Sequence, residues 1–389
     1  MEHLPQLLGA GILLLSLYLA AISGARFRVP GIILYILVGI LAGVWLRDSH
    51  LLHSAGEFGI VLLFFLLGLE FSYGRLKSIA GKVWPAGTLD AALNLLVTIG
   101  ICFAFGLELV PSLLIGGVVF ATSSTVTAKL MQSTKRMANA ESEFMLALLI
   151  FEDLVAPLFV ALLIGIVEGQ DLSPAFFLLV LGKVALLAAG AILIGRFVFS
   201  RLHDFFDRIF SEDYYIVLTV GLALTYGGLA VYLGLSEVLG AFLAGMMLSG
   251  VRKTEDIETK ILPVRDLLLP LFFVYFGTTV SLGEQIPYIG LFITLLLWST
   301  AAKIITGYYG GKWYGLSKKA SLRAGLSMTT RGEFSVVIAS LAAGSIKLLS
   351  GLFVLGSVVL GIALFQLAPW LTRKLLGKPA GSKMRAGTK

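Results

Sequence analysis

The chain has 389 residues, of which 58% are hydrophobic and 14% are charged, and its mean hydropathy is +0.94. Soluble chains of this length are much less apolar, so the composition indicates a polytopic membrane protein surrounded by lipid. The net charge of +7 does not indicate a nucleic-acid partner, because the basic residues collect in loops on one side of the predicted spans. The single Cys102 excludes a disulfide within the chain, and no motif predicts a cofactor.

Apolar segments of about 20 residues recur between short polar loops, and an α-helix needs that length to cross roughly 30 Å of hydrocarbon. Strands of a membrane barrel would be about half as long and would alternate polar with apolar residues. We therefore predict an all-α protein with thirteen transmembrane helices, at residues 5–23, 30–46, 57–73, 84–106, 110–131, 142–167, 174–199, 213–233, 235–250, 264–282, 286–311, 319–346 and 349–372.

The placement of basic residues predicts the orientation of these spans. The outer loops would hold only Arg47 and Lys347, whereas the cytoplasmic loops would hold most of the others, including Arg136 and Arg323. This bias predicts an outer N-terminus and a cytoplasmic C-terminus in the cell membrane. Residues 7–22 lack a preceding basic segment and are interpreted as the first span rather than a secretory signal.

Two pairs of segments in the chain resemble each other. Residues 37–46 (LVGILAGVWL) resemble residues 239–248 (LGAFLAGMML), and residues 63–65 repeat as residues 271–273. Short Leu, Ala and Gly matches also arise by chance in apolar helices, but the odd span count and the charge bias favour a true repeat. We predict two inverted six-helix repeats, spans one to six and eight to thirteen, joined by span seven.

The fifth span of each predicted repeat contains residues that weaken a membrane helix. Residues 121–127 are rich in Ser and Thr, which offer the backbone alternative hydrogen bonds, and residues 325–334 contain glycines, hydroxyls and two charges. Such a Ser/Thr cluster can instead serve helix packing, but two at matching positions predict crossed broken helices whose exposed carbonyls form a cation site. The candidate cation ligands there are Thr122, Ser123 and Ser124, with Asn94, Thr329, Thr330, Arg331 and Glu333 as supporting residues.

Two adjacent acids, Glu152 and Asp153, lie in the middle of span six. An ionised carboxylate at the bilayer centre costs at least about 2.5–3.5 kcal/mol, and such residues usually mark ion or proton pathways. Adjacent helical residues point about 100° apart, so one acid is expected to face the ion path and the other a counter-charge, for which Lys303 is the candidate. The alternative is a buried polar network that only fixes helix packing.

Three further polar residues have predicted places near this pair. Arg331 and Glu333 are expected to form a second ion pair or a brace across the broken helix. Asn94 is expected to line the approach from the cytoplasm. For Asp90 the sequence leaves two alternatives open, a place in that approach or a solvated charge at the membrane interface.

The acidic pair suggests a chemistry that couples two ions. Desolvation raises the pKa of a buried carboxyl group, so that it can take up and release a proton near neutral pH. When ionised, Asp153 and Glu152 are the candidate carboxylate ligands of a hard oxygen site for an alkali cation, together with carbonyl and hydroxyl oxygens. If only the protonated and cation-loaded forms reorient across the membrane, obligatory exchange results.

Several motifs resemble the membrane domain of Kef-type monovalent cation/proton antiporters, in the second cation:proton antiporter family. The resemblance covers roughly residues 5–372 and rests on the acidic pair and on residues 62–72 (LLFFLLGLEFS), 121–125 (ATSST), 234–245 (GLSEVLGAFLAG), 271–279 (LFFVYFGTT) and 331–334 (RGEF). By the family pattern, Asp153 looks like the ion- and proton-binding aspartate, and Lys303 looks like the lysine that pairs with the preceding acid. Glu152 stands where Kef proteins often have Gln and sodium-type relatives have Asp.

The resemblance also implies a domain organisation and a homodimer. A scaffold domain (1–83 and 213–283) would form the dimer, a core domain (84–173 and 284–376) would move, and residues 174–212 would form a linker helix. Many relatives continue into a cytoplasmic nucleotide-binding domain, whereas only the tail 377–389 follows here. Regulation is therefore expected from a separate cytoplasmic subunit or from the loops.

The sequence thus predicts a secondary antiporter rather than an enzyme, exchanging a monovalent cation for protons, with K⁺ favoured over Na⁺ by the Kef-type motifs. The main alternative is a gated cation channel that uses the same pathway without stoichiometric coupling. An organic-anion symporter is a weaker alternative, because its site needs a cationic anchor more than paired acids.

Overall fold

A computed structural model describes residues 6–27, 31–46, 49–70, 73–168, 173–199, 215–250, 254–280 and 288–377. The elements in these residues are helical, apart from one isolated antiparallel bridge, which confirms the all-α prediction. Eight of the described helices are long and apolar enough to cross a membrane. In chain order the helices are α1 (Gln6–Phe27), α2 (Gly31–Leu46), α3 (His50–Glu70), α4 (Tyr73–Ala91), α5 (Thr98–Ala104), α6 (Leu109–Phe120), α7 (Ser124–Ser133), α8 (Ala140–Val167), α9 (Pro174–Ile194), α10 (Tyr215–Tyr232), α11 (Glu237–Leu248), α12 (Thr254–Thr278), α13 (Ile289–Tyr314), α14 (Lys318–Ser327), α15 (Glu333–Ser340) and α16 (Gly344–Leu376).

Three helices begin well before the predicted spans. Helix α3 begins at His50 rather than residue 57, α4 at Tyr73 rather than residue 84, and α12 at Thr254 rather than residue 264. Hydropathy marks only the apolar part of a helix, whereas polar residues continue it beyond that part. The first turn of α12 carries two acids, and negative charges there stabilise a helix N-terminus.

Both predicted helix breaks are present. Span five consists of α6 and α7, and span twelve consists of α14 and α15. Thr122, between α6 and α7, forms an antiparallel bridge with Arg331, between α14 and α15, and the Ser123 amide donates to the Thr330 carbonyl at 3.0 Å. The two extended segments therefore lie side by side.

Helices α2, α3, α11 and α12 pack closely through glycines. A Cβ atom at Gly68 would lie 2.0 Å from the Phe242 carbonyl oxygen, and one at Gly39 would lie 2.1 Å from the Val274 oxygen. Only glycine permits such backbone contact. The α3–α11 and α2–α12 contacts involve the segments that resemble each other in sequence, although the inverted repeat itself stays a prediction.

A second group of helices surrounds the crossing of the two broken spans. Helix α13 packs on α14, where a Cβ atom at Gly307 would lie 2.1 Å from the Gly325 Cα, and α16 packs on α14 and α15. A π-helical turn (Ala92–Val97) joins α4 to α5 beside the same crossing. Part of the predicted linker, residues 200–212, and most of the predicted tail, residues 378–389, lie outside the described residues.

Candidate functional site

Lys303 of α13 lies between two acids inside the helix bundle. Its side chain is 1% exposed, and its Nζ is 2.8 Å from Asp90 Oδ2 on α4 and 3.0 Å from Glu152 Oε1 on α8. Both acids are fully buried. The contact between Glu152 and Lys303 expected from the sequence is therefore present, and Asp90 is a second acid on the same ammonium group.

The other carboxylate oxygen of Glu152 binds the break in span five. Its Oε2 accepts the backbone N–H of Thr122 at 2.6 Å. Thr122 follows the C-terminus of α6 in extended conformation, so its N–H has no helical partner. A carboxylate accepting a backbone N–H forms a charge-assisted hydrogen bond, and Glu152 thereby connects the lysine on α13 to the crossing.

Asp90 and Asn94 lie together inside the bundle. Both are fully buried, which excludes a solvated interfacial charge for Asp90, whereas a place of either residue in the cytoplasmic approach stays a prediction. Asn94 Nδ2 donates to Asp90 Oδ1 at 3.0 Å, and Asn94 Oδ1 accepts from Arg331 Nη2 at 3.2 Å. The signal that could have placed them is the i, i+4 spacing of an acid and an amide in an apolar span.

Arg331 binds the C-terminal end of α6. The fully buried guanidinium donates through Nε to the Val119 carbonyl at 2.7 Å and through Nη1 to the Thr329 carbonyl at 3.4 Å. The last carbonyls of a helix lack helical partners and carry its negative partial charge. Arg331 therefore acts as a brace across the break, which is one of the two roles predicted for it.

Glu333 binds the N-terminal end of α7. Its Oε2 accepts the Ser123 hydroxyl at 2.8 Å and its Oε1 accepts the Ser124 hydroxyl at 3.0 Å. Glu333 also lies in the first turn of α15, so the carboxylate is near two helix N-termini, where negative charge is stabilised. A Cβ atom at Gly332 would lie 2.3 Å from Ser123 Oγ, which explains the glycine between Arg331 and Glu333.

The other hydroxyls of the two breaks also contact each other or the backbone. Thr330 and Thr127 place their Oγ1 atoms 3.3 Å apart, and Thr122 Oγ1 donates to the Met328 carbonyl at 3.4 Å. Thr329 Oγ1 is buried and has no hydrogen-bond partner among the described residues. In this conformation the hydroxyls thus hold the crossing together, and their predicted role as cation ligands stays a prediction.

Asp153 is the second acid of the pair on α8, and it is 3% exposed. Because consecutive residues differ by about 100° around a helix, Asp153 faces a different direction from Glu152, which points to α4 and α13. Pro157, four residues later on α8, has no N–H to donate to the Asp153 carbonyl. The two acids therefore have different surroundings.

A second buried ionic network, at the start of α8, was missed by the sequence analysis. The buried Glu141 carboxylate accepts Arg323 Nε and Nη2 at 2.5 Å each and Arg136 Nη2 at 3.2 Å. Arg136 also donates to the Phe365 carbonyl at 3.1 Å and to Ser327 Oγ at 2.9 Å. The two arginines, interpreted from sequence as loop charges, thus connect the start of α8 to α14 and α16.

We expect Glu141→Gln to lower the free energy of unfolding by about 3 kcal/mol, because removing one partner leaves two guanidinium groups without their carboxylate. The measurement is thermal unfolding of the purified protein in detergent. Glu143→Gln is the matched control, since Glu143 is an exposed acid two residues along the same helix. Equal melting temperatures for the two variants would contradict a stabilising role for this network.

Comparison with known proteins identifies the family of the chain. Residues 12–374 match the family described as "Sodium/hydrogen exchanger, transmembrane". The chain is 55% identical over 382 residues to the ammonium/H⁺ antiporter subunit AmhT of Alkalihalophilus pseudofirmus, covering 98% of each protein. It is 27% identical to the K⁺/H⁺ antiporter subunit KhtU of Bacillus subtilis, covering 93% of this chain and 92% of that one.

A solved structure has the same fold. The sodium proton antiporter MjNhaP1 of Methanocaldococcus jannaschii at pH 8 superposes with a TM-score of 0.67 at 21% identity, covering 95% of this chain and 98% of that one. The chain belongs to the sodium/hydrogen exchanger family of transmembrane cation/proton antiporters.

Proposed function

We propose that the protein exchanges a monovalent cation for protons by alternating access, with Asp153 binding the cation and the proton in turn. The observation that carries this assignment is the buried Asp90–Lys303–Glu152 network beside Asp153, attached to the crossing of two broken helices. Half-helix ends and extended backbone at the middle of a membrane bundle are the usual setting of ion sites in secondary transporters.

The division of work between the two acids follows from their contacts. Both oxygens of Glu152 are engaged, one by Lys303 and one by the Thr122 amide. A cation beside Glu152 would compete with Lys303 for the charge of the same carboxylate. We therefore assign Glu152 and Lys303 to positioning the site and coupling its charge, and Asp153 to binding.

The charge of the site supplies a reason for coupling. When all groups around the crossing are ionised, the acids outnumber the basic groups. The four acids are Asp90, Glu152, Asp153 and Glu333, and the two basic groups are Lys303 and Arg331. Moving excess buried charge through a low-dielectric environment is costly. A proton or a monovalent cation on Asp153 reduces this excess, so the two occupied forms reorient and the empty form does not.

For the transported cation we propose K⁺ or ammonium in preference to Na⁺. The Kef-type motifs of the sequence favour K⁺, and two relatives bear the names of an ammonium/H⁺ and a K⁺/H⁺ antiporter subunit. K⁺ and ammonium carry the same charge and have nearly the same ionic size. Carboxylate and carbonyl oxygens can bind K⁺ directly or accept N–H bonds from ammonium.

A flux assay on the purified protein in liposomes, with an internal pH-sensitive dye, tests this ion order. We expect half-saturating concentrations of K⁺, Rb⁺ and ammonium about tenfold below those of Na⁺ and Li⁺, a difference of about 1.4 kcal/mol in binding. Protein-free liposomes are the control for ammonium, since ammonia crosses bilayers by itself. A preference for Na⁺ would overturn the ion assignment while leaving the exchange assignment intact.

We further propose that the four closely packed helices α2, α3, α11 and α12 belong to a scaffold that forms a homodimer, while the helices around the crossing move. In this proposal the scaffold comprises residues 1–83 and 213–283, and the moving core comprises residues 84–173 and 284–376.

We also propose a separate cytoplasmic regulatory subunit, because two relatives are named as antiporter subunits. The outer N-terminus and cytoplasmic C-terminus follow from the loop charges.

A further inference from the structure

The π-helical turn at Ala92–Val97 interrupts the fourth predicted span directly after α4, which carries Asp90. In an α-helix each N–H bonds to the carbonyl four residues earlier, whereas in a π turn it bonds to the carbonyl five residues earlier. A π turn therefore holds one extra residue and rotates the helix that follows it by about 100°. Such turns are rare and occur frequently at functional sites, so we expect tertiary contacts to hold this one in place.

Trp298 of α13 contacts the backbone of the π turn. Its indole Nε1 donates to the Leu93 carbonyl at 3.1 Å, and its side chain is half-buried. Side chains that bond to the backbone of a helix disturb the regular ladder of hydrogen bonds. The Trp298 contact lies where this ladder changes from α to π.

Helix α6 contacts the same turn. A Cβ atom at Gly116 would lie 3.3 Å from the Leu95 carbonyl oxygen and 2.8 Å from Ile99 Cγ1. Because Gly116 has no side chain, the two backbones can approach this closely. Helix α6 is the first half of the broken span five, so the π turn contacts both α13 and one half-helix of the crossing.

Asn94 lies within the π turn and connects two charged groups. Its Nδ2 donates to the Asp90 carbonyl at 3.3 Å and to Asp90 Oδ1 at 3.0 Å, and its Oδ1 accepts from Arg331 Nη2 at 3.2 Å. Asp90 in turn binds Lys303, so Asn94 joins the lysine network to the brace across the break. The place of the Asn94 side chain depends on the backbone of the π turn, and hence on the contacts that hold this turn.

Two hydrogen bonds fix α13 against this segment. Lys303 binds Asp90, and Trp298, which lies earlier on α13, binds Leu93, which lies later than Asp90. The two segments therefore run antiparallel, and the two bonds together set their register. The helix that carries the lysine thus also holds the residue next to Asn94.

We propose that Trp298 is a positioning residue for exchange, whose indole N–H holds the π turn so that Asn94 stays between Asp90 and Arg331. This role rests on the proposed function, because it keeps the cation site assembled. When the turn is held less well, fewer molecules have an assembled site, and the apparent dissociation constant of the cation rises in proportion. A saturating cation concentration draws the population back to the assembled form, so the maximal rate changes less.

The test replaces Trp298 by benzothienylalanine, which keeps the shape of the side chain but has sulfur in place of the N–H. In liposomes with an internal pH dye, we expect the half-saturating K⁺ concentration to rise about fivefold, the usual effect of one neutral hydrogen bond on an equilibrium. Hydrogen–deuterium exchange of the amides at 92–98, followed by mass spectrometry, should become faster. The same replacement of Trp313, which is 57% exposed on the same helix, is the matched control and should alter neither result.

Asn94→Ala distinguishes positioning through Asn94 from general packing. This variant should also raise the half-saturating K⁺ concentration, and adding the Trp298 replacement to it should raise the value no further. Additive effects, unchanged deuterium exchange or an equal effect of the Trp313 replacement would overturn the role of Trp298. Absence of K⁺-driven proton movement in the unaltered protein would contradict the proposed function instead, and deuterium exchange would still decide whether Trp298 holds the π turn.

Discussion

Asp153→Asn is expected to reduce cation-driven proton movement to the level of protein-free liposomes. The amide has nearly the same size as the carboxyl group, but it neither releases a proton in the physiological range nor supplies negative charge for a cation. The measurement is proton release from the purified protein on addition of K⁺ or Rb⁺, followed with a pH dye. Unaltered release in this variant would remove the role that we assign to Asp153.

Glu152→Gln is the matched control for that variant. It removes the charge of the neighbouring acid, leaves Lys303 paired with Asp90, and introduces the residue that Kef-type proteins often have at this position. We expect Glu152→Gln to retain exchange with a changed pH dependence. Loss of exchange in Glu152→Gln together with full exchange in Asp153→Asn would reverse the assignment of the two acids.

Lys303→Gln is expected to lower stability and to alter the pH dependence of transport. Without the ammonium group, Asp90 and Glu152 are two buried carboxylates with no cation between them, and breaking a buried ion pair costs about 3–5 kcal/mol. One acid then has to take up a proton, so the stability lost should increase as the pH rises. Thermal unfolding and exchange rates measured between pH 5 and pH 9 test both effects.

The double variant Asp90→Asn/Lys303→Gln separates charge balance from packing. The double variant keeps the net charge that the Asp90–Lys303–Glu152 network has in the wild-type protein, because one negative and one positive charge are removed together. We expect it to recover most of the thermal stability that Lys303→Gln loses. A double variant no more stable than the single one, or a single variant with an unchanged pH profile, would contradict the charge network described above.

The breaks and the Glu152–Lys303 contact could be predicted from the sequence for a physical reason. Charges are costly at membrane depth, so few occur there and the choice of partners is small. Ser, Thr and Gly clusters in an apolar span likewise indicate where backbone hydrogen bonds leave the helix. The helix breaks at residues 121–123 and 328–332 lie inside the predicted segments.

Partners that depend on tertiary packing could not be predicted in the same way. Arg331 binds the Val119 carbonyl only because two distant segments cross, and nothing in the local sequence indicates that pairing. For Asp90 the sequence leaves an approach and an interface open, because the local sequence of a helix does not show which partners each face meets. Arg136 and Arg323 stand in segments that the sequence predicts as cytoplasmic loop charges, yet both bind the buried Glu141 at the start of α8.

Coupled exchange is tested most directly by proton movement that is driven by a K⁺ gradient alone. Liposomes containing the protein, K⁺ and an internal pH dye are diluted at constant pH into buffer with choline in place of K⁺. An antiporter acidifies the interior without added ionophore, because each departing cation is exchanged for protons, and Asp153→Asn should abolish this signal. Acidification that appears only after a proton ionophore is added would show that K⁺ leaves through an uncoupled channel and would contradict the account.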